Sequence, residues 1–129
     1  MPLVTLNRRA GRPAEENRRL LDAVHAALVE AFHIPDADRH QLLLEHDAAV
    51  FEIPADRTPA YTLVEIVAFP GRSTAAKRKL YQSLAQRFEA AGVHTGDLFV
   101  VITEPPLENW SPRDGVSSAD VKPSFKLDV

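Results

Sequence analysis

The sequence predicts an α+β fold, in which two duplicated β-α-β units form one four-stranded sheet with both helices on one face. The first observation is an internal repeat, because segments 2–45 and 62–104 align with each other and Leu3 falls on Leu63. The second is periodicity. In each segment, short aliphatic or β-branched runs flank a stretch whose apolar residues recur at helical spacing. Each crossover is expected to be right-handed.

In the first unit, the run PLVTL at 2–6 predicts the opening strand. A helix is predicted over about 14–33, where apolar residues follow the i, i+3, i+4 spacing of one buried face. Pro13 suits the first helical turn, and the sequence HIP at 33–35 ends the helix. The run at 41–45 predicts the closing strand.

The second unit repeats this order. The run YTLVEIVAF at 61–69 predicts a strand, and a helix is predicted over about 74–91. Ser73 is a suitable N-cap and Gly92 a suitable C-cap. Residues 97–103 predict the last strand of the sheet.

Two segments lie outside the repeat. Residues 50–53 form either a short strand or a crossover. From residue 105 the composition becomes rich in Pro, Ser and Asp, without a period, which predicts an extended arm over 105–129. Its large apolar residues Trp110, Phe125 and Leu127 are expected to dock against the body or a neighbouring subunit.

Composition excludes several classes of protein. A chain of 129 residues with 45% hydrophobic and 26% charged residues predicts a single globular domain over 1–129. The net charge of −3, with basic residues spread along the chain, disfavours a nucleic-acid partner. No apolar run approaches the roughly 20 residues that span a bilayer, and no signal-peptide pattern is present, so we expect a cytoplasmic protein.

Metal and cofactor chemistry are not expected. The chain has no cysteine, and its five histidines show no metal-ligand spacing. Nucleophile-elbow, GxGxxG and phosphate-loop motifs are absent from the sequence. We therefore expect no metal site and no cofactor.

The predicted fold leaves one face of the sheet bare. A chain of this length cannot leave a whole apolar sheet face in water, so a second copy of the chain is expected to cover it. This argument predicts a homo-oligomer.

Pro2 is the first candidate for chemistry. After removal of Met1, expected because the next residue is small, Pro2 would carry a free secondary amine that an internal residue cannot offer. The alternative is an inert residue at a frayed terminus.

Arg72 is the second candidate. It lies in FPGRST, between a strand and the first turn of the second helix, where the helix dipole and free amides favour an anion. Its guanidinium would bind a carboxylate through two hydrogen bonds. The alternative is a solvated arginine. Arg12 occupies the same place in the first repeat, so one copy can bind substrate while the other is structural.

Asp38 and Arg39 lie in IPDADRHQ, before the second strand. Asp38 could orient a water or a carbonyl or take a proton, and Arg39 is a candidate substrate ligand. The alternative is a turn aspartate that pairs with Arg39 or with the loop. Because neighbouring parallel strands begin at the same edge of a sheet, Asp38 and Pro2 are expected to be adjacent.

Four stretches together, MPLV, DADRHQ, FPGRSTAAKRKLY and ENWS, resemble the tautomerase superfamily, in the branch of malonate semialdehyde decarboxylase. The resemblance covers nearly the whole chain and implies a trimer of β-α-β duplications. The chain departs from that branch at two places. Its Phe69-Pro70-Gly71-Arg72 stands where the branch has an RPR pattern, and its Trp110-Ser111-Pro112-Arg113 stands for WSFG.

The resemblance also implies roles for individual residues. Pro2 would be the catalytic amine and Asp38 the aspartate that acts with it. Arg72 would bind the substrate carboxylate. Trp110 and Phe125 would belong to an apolar wall. A small 2-oxo or 3-oxo carboxylate is then the expected substrate.

Three functions are consistent with these residues. A neutral Pro2 amine can move a proton between carbon and oxygen of a 2-oxo acid, which is tautomerase activity. A protonated amine, or an iminium, could instead assist decarboxylation or hydration of a 3-oxo acid. A nearby cation lowers the amine pKa and Asp38 raises it, so the sequence leaves both possibilities open. The third is a trimeric binding module without catalysis.

Overall fold

The computed structural model describes residues 2–122 and 126–129, so Phe125 and Met1 lie outside the described residues. Four strands and two long helices alternate along the chain. Their bounds are β1 Pro2–Arg9, α1 Ala14–Phe32, β2 His40–His46, β3 Thr62–Ala68, α2 Thr74–Ala90 and β4 Leu98–Thr103.

The four strands form one mixed sheet in the order β2-β1-β3-β4. β1 is parallel to β2, and β3 is parallel to β4, as two β-α-β units require. The units meet at the centre of the sheet, where β1 and β3 run antiparallel. The predicted fold class is therefore confirmed, with the second unit turned relative to the first.

Strand register brings the beginnings of β1 and β2 to the same edge of the sheet as the end of β3. Leu3 pairs with His40 of β2, and Pro2 pairs with Ala68 of β3. The amino end of β1 thus lies between the residues that precede His40 and the loop that follows Ala68. This register positions the candidate site.

The hydrophobic core lies between the sheet and the two helices, which pack against each other. Its fully buried members come from alternate positions of β1 and β3 and from the inner faces of both helices. They include Val4, Leu6, Leu20, Val24, Leu28, Val64, Ile66, Leu80, Leu84 and Phe88. Burial of one face of each element is the main force that holds both units together.

The helix ends follow the local signals in the sequence. His33 adopts a left-handed conformation directly after α1, with φ of 55°, and its N–H donates to the carbonyl of Val29. At α2, the Ser73 hydroxyl accepts a hydrogen bond from the backbone N–H of Ala76, as an N-cap does. Gly92 follows α2 with φ of 94°, a conformation that favours glycine.

The opposite face of the sheet is apolar and exposed. Leu3 of β1 and Leu44 of β2 face outward on this side. On the two edge strands, Leu42 of β2 is 62% exposed and Phe99 of β4 is 47% exposed. Half-buried and exposed positions alternate along β4, so its outward side chains are open to solvent. At the other end of the face, Phe51 covers part of it, because its ring stacks on His46 and its carbonyl accepts from Arg9. This is the bare face that the sequence predicts.

Residues 50–53 do not add a strand. The segment after β2 forms a short 3-10 turn at Ala48–Val50, where the Asp47 side chain accepts from the N–H of Ala49, and then crosses to β3. Both predicted strands of the first unit are also longer than expected. β1 continues to Arg9, which pairs with His46 of β2. The buried guanidinium of Arg8 is hydrogen-bonded to Thr62, Asn17 and the carbonyl of Ala60.

The described part of the arm is irregular, with 3-10 turns at Leu107–Asn109 and Ser118–Asp120. Trp110 is buried, and its indole Nε1 donates to the carbonyl of Pro105 at 3.1 Å. Leu127 is half-buried, near the glycine of the FPGR loop. Neither long helix of the described chain has the length and apolarity to cross a membrane.

Candidate active site

A cavity of about 620 Å³ opens between the arm and the edge of the sheet where β1 and β2 begin and β3 ends. One wall comes from the residues around the start of β2 and the end of β3, and the other comes from the arm. The lining residues are Pro35, Ala37, Asp38, His40, Phe69, Leu107, Pro112, Arg113, Asp114, Val116, Ser118, Val121 and Lys122. The lining is mainly apolar, with a few charged groups, as in sites that bind small organic molecules.

Pro2 begins the central strand at this edge. Each neighbouring strand has a lining residue next to Pro2. His40, the first residue of β2, pairs with Leu3, and Phe69 directly follows Ala68, the β3 partner of Pro2. Pro2 itself is buried and is not one of the lining residues among those that the structure describes.

Asp38 lies in the cavity wall. Its side chain is 12% exposed, and its Oδ1 is 3.6 Å from Nε2 of His40, a second lining residue. A turn in which the Asp38 N–H donates to the carbonyl of Pro35 leads the chain from α1 into β2. Asp38 lies two residues before His40, which is the β2 partner of Leu3.

Arg72, in the loop before α2, is not one of the lining residues among those that the structure describes. It is 6% exposed, and its Nη1 donates to the carbonyl of Phe69 at 3.1 Å. Its guanidinium carbon is 4.8 Å from the centre of the Phe32 ring, at the end of α1. Burial lowers the pKa of Arg72, and the charges of Glu104 and Asp38 oppose that shift.

The equivalent arginine of the first repeat has a different partner. Arg12 donates two hydrogen bonds, both 2.9 Å long, to the carboxylate of Glu16 in the first turn of α1. At the matching position of α2 the residue is Ala76, so Arg72 has no such carboxylate in its own helix turn. The two equivalent arginines therefore have different surroundings, and substrate binding by one of them stays a prediction.

Arg39 lies away from the cavity. Its Nη2 is 2.6 Å from Oδ1 of Asp22 on the outer surface of α1, and both side chains are exposed. The structure therefore does not bring Arg39 to the predicted substrate site. Its guanidinium ties the loop before β2 to α1, because Asp22 faces that loop.

Trp110 supports the wall of the cavity. Its ring meets the Phe69 ring edge-on, with a centroid distance of 4.9 Å, and Phe69 is a lining residue. Trp110 is not itself a lining residue among the described positions. Phe125, the other residue of the expected apolar wall, lies outside the described residues.

Of the lining residues, the sequence analysis anticipates only Asp38; those it does not anticipate include His40, Phe69, Arg113 and Lys122. Phe69 and Arg113 stand at the two places where the chain departs from the branch it resembles. Those departures are the signal that could have identified them. His40 and Lys122 carry no such signal.

The loop before α2 is also contacted by the end of the chain. The backbone N–H of Ser73 donates to the carbonyl of Val129 at 3.1 Å. Gly71 has φ of 125°, and an added Cβ would lie 3.2 Å from the carbonyl oxygen of Leu127. Within residues 2–122 and 126–129, no three His, Asp or Glu side chains converge as a metal site requires.

Comparisons with known proteins agree with this architecture. A family model described as "Tautomerase enzyme" matches residues 38–113, and a second model with that description matches residues 2–53. The chain is 32% identical over 117 residues to the probable tautomerase YrdN of Bacillus subtilis strain 168, covering 86% of this chain and 90% of YrdN.

Solved structures give the same result. FG41 malonate semialdehyde decarboxylase inhibited by 3-bromopropiolate matches with a TM-score of 0.81 and 30% identity, covering 88% of this chain and 91% of that chain. The symmetric trimer of Q0 fused 4-OT matches with a TM-score of 0.79 and 25% identity, covering 91% of this chain and 96% of the other.

The duplicated β-α-β sheet with a cavity at the head of β1 defines the class as that of tautomerase-like proteins. The family match extends over more than half of the sequence. The chain belongs to the tautomerase family, and it is similar to the malonate semialdehyde decarboxylase branch.

Proposed function

We propose that this protein is a keto–enol tautomerase that uses the amine of Pro2 on a small 2-oxo acid. The observation that carries the proposal is the position of Pro2 at the start of the central strand, between two strands whose ends line the cavity. The family assignment supports enzymatic chemistry at this position.

The proposed reaction transfers one proton. In ketonisation, the neutral Pro2 amine takes the O–H proton of the enol as the C2–O bond becomes a carbonyl. The ammonium that results donates this proton to C3, which restores the neutral amine. The mainly apolar lining would strengthen charge interactions with the substrate relative to bulk water.

The experiment is ketonisation of the enol of phenylpyruvate by the wild type and by Pro2→Ala, followed by the loss of enol absorbance. We expect kcat/KM to fall by roughly 100-fold or more, because a general acid–base group contributes about 10²–10⁴-fold. Mass spectrometry of the intact wild type establishes that Met1 has been removed. Pro54→Ala, in an exposed loop, is the matched control and should keep full activity.

Full activity in Pro2→Ala would contradict the proposal. If the wild type lacks activity while phenylpyruvate still binds, the chain is instead the binding module that the sequence leaves open.

A second candidate is decarboxylation or hydration of a 3-oxo acid such as malonate semialdehyde. It is favoured by Asp38, a nearly buried carboxylate in the cavity wall, and by the 30% identity to a malonate semialdehyde decarboxylase. Carbon dioxide release from malonate semialdehyde by the same preparations separates the two candidates. Release that depends on Pro2 would favour the lyase, and none above background would count against it.

We also propose that three copies of the chain associate through the exposed sheet face. The proposal is supported by the apolar residues of that face and by the similarity to the fused 4-OT trimer. A partner subunit would remove this surface from water.

A further inference from the structure

Two polar side chains of the cavity belong to the edge of the sheet at which Pro2 begins its strand. They are Asp38, in the loop before β2, and His40, the first residue of β2. The other polar lining side chains come from the arm, on the opposite wall: Arg113, Asp114, Ser118 and Lys122. His40 is therefore the nitrogen-bearing side chain of the lining that adjoins the Pro2 strand.

The backbone of His40 is fixed beside that strand. His40 pairs with Leu3, the residue after Pro2, in the parallel ladder between β1 and β2. Neighbouring strands of a sheet lie about 4.8 Å apart, so the imidazole projects from a backbone position close to the start of β1. A side chain on a paired strand is also held more precisely than a side chain on a loop.

The His40 ring meets one carboxylate and is otherwise open to the cavity. Its Nε2 is 3.6 Å from Oδ1 of Asp38, and no other hydrogen-bond or ion-pair partner of the ring lies within residues 2–122 and 126–129. The His40 side chain is 52% exposed, whereas the Asp38 side chain is 12% exposed. A carboxylate beside one ring nitrogen favours a ring orientation that leaves the other nitrogen for a ligand.

Asp38 acts on both His40 and Arg72. Burial lowers the pKa of Arg72, and the charges of Glu104 and Asp38 oppose that shift, so Arg72 belongs to the electrostatic surroundings of this edge. Arg39, the residue between Asp38 and His40, is paired instead with an aspartate on the outer surface of α1. Asp38 is thus the charged neighbour that sets the surroundings of the His40 ring.

The proposed reaction develops negative charge on one oxygen atom. When the Pro2 amine takes the O–H proton of the enol, the electrons of that bond stay on the C2 oxygen until C3 receives the proton. A hydrogen-bond donor aimed at this oxygen lowers the barrier, and removal of one such donor costs about 10²–10³ in rate. An imidazole ring offers an N–H donor of this kind.

We propose that His40, held beside Asp38, is a catalytic residue that donates a hydrogen bond to the C2 oxygen of the substrate. The donated proton stays on the ring, so Pro2 remains the group that transfers the proton. The inference rests on the proposed function for the identity of the reacting oxygen. It goes further by assigning a second group of this chain to the reaction.

The kinetic test uses the enol of phenylpyruvate with the wild type and with three variants of His40. His40→Phe keeps a ring and removes the donor, and we expect kcat to fall roughly 10- to 100-fold with KM within about threefold. The fall should be at the lower end for loss of such a donor because the His40 side chain is half-exposed. His40→Asn and His40→Gln carry amide N–H donors, and at least one of them should recover most of the loss.

His46→Phe is the matched control, because His46 lies at the other end of the same strand. Its ring stacks on Phe51, its Nε2 is 2.7 Å from Oδ1 of Asn7, and it is not one of the described lining residues. This variant should keep the wild-type kcat. The assignment of His40 would be overturned by an unchanged kcat in His40→Phe, by equal losses in all three His40 variants, or by an equal loss in His46→Phe.

A binding measurement separates this inference from the proposed function, because it needs no turnover. Mandelate and phenylacetate are non-reacting carboxylates that differ by one hydroxyl group, on the carbon next to the carboxylate. In calorimetry, we expect the wild type to bind mandelate about 3- to 10-fold more tightly than phenylacetate, as for one hydrogen bond. His40→Phe should bind both ligands equally, and it should bind phenylacetate as the wild type does.

Loss of the preference for mandelate in His40→Phe supports His40 as the donor even if the wild type does not ketonise the enol. No preference in the wild type, the same preference in His40→Phe, or no binding of either ligand would overturn the inference. In that case, ketonisation that depends on Pro2 would leave the tautomerase proposal standing alone.

Discussion

Glu16 is buried between two arginines at the edge of the sheet opposite the cavity. Its Oε2 is 2.8 Å from Nη2 of Arg8, which is itself fully buried, and Arg12 donates two hydrogen bonds to the same carboxylate. Hydrogen bonds from Arg12 and from Arg8 hold the pKa of Glu16 below its usual value, although burial acts in the opposite direction. The carboxylate therefore neutralises charges that the fold could not otherwise bury.

Replacing Glu16 with Gln should lower the free energy of unfolding by about 3 kcal/mol at pH 7, because a buried arginine loses its counter-ion. The folded-state pKa of Glu16 is depressed, so its contribution is complete above the unfolded value of about 4.3 and is lost as pH falls through the folded value. The difference between wild type and variant should shrink below that pH. Urea unfolding at pH 7, 5 and 3 measures it.

Glu15→Gln is the matched control. Glu15 is in the same helical turn, but its side chain is 71% exposed and pairs with Arg18 on the surface. Such pairs contribute about 0–1 kcal/mol, so this variant should unfold nearly like wild type. Equal losses for the two variants would show that the buried cluster has no special weight.

The loops before the two helices form a natural comparison at the scale of elements. Gly11 and Gly71 are equivalent in the repeat, and both have positive φ, 103° and 125°. An added Cβ meets nothing within 4 Å at Gly11, whereas at Gly71 it would lie 3.2 Å from the Leu127 carbonyl. The contact with the end of the chain is thus the feature that distinguishes the second loop.

Alanine at either glycine should cost about 1 kcal/mol of unfolding free energy, because the backbone conformation disfavours a side chain. Gly71→Ala should cost more than Gly11→Ala and should also weaken phenylacetate binding, since it displaces the segment packed on the FPGR loop. Urea unfolding and calorimetry of the two variants measure both effects. Identical behaviour would mean that the Leu127 contact is unimportant.

Local signals in the sequence predict the helices and strands well. Apolar spacing places α1 and α2 within one or two residues of their ends, and Ser73 forms the predicted cap. The arm is harder to predict, because its path depends on long-range contacts such as that between Trp110 and Phe69. The same contacts decide which arm residues line the cavity, so the sequence does not predict that Arg113 does.

The site could be predicted in part. Parallel pairing alone is enough to expect Asp38 near the start of β1, and the register pairs Leu3 with His40, two residues after Asp38. The sequence could not show that Arg72 faces α1 or that Arg39 pairs with Asp22, because both depend on how the helices pack over the sheet.

At the scale of the whole molecule, the exposed sheet face predicts association. Leu42→Lys places a charge at a position that is 62% exposed in the single chain and lies within the proposed subunit interface. We expect sedimentation to change from a trimer to a smaller species, because burying an unpaired charge is costly. Val50→Lys is the control, since Val50 is 77% exposed but lies outside the sheet.

A Leu42→Lys protein that sediments like wild type would argue against this face as the interface. A wild type that is monomeric at micromolar concentration would argue against the trimer itself.

Both ends of the described chain reach the FPGR loop, which joins β3 to α2. Pro2 pairs with Ala68 just before this loop, and the Val129 carbonyl accepts from the N–H of Ser73 at its end. An affinity tag joined before Pro2 would turn its amine into an amide, and one joined after Val129 would start beside α2. A purification handle is better inserted in the exposed turn at 55–56, or removed by a protease that leaves Pro2 first.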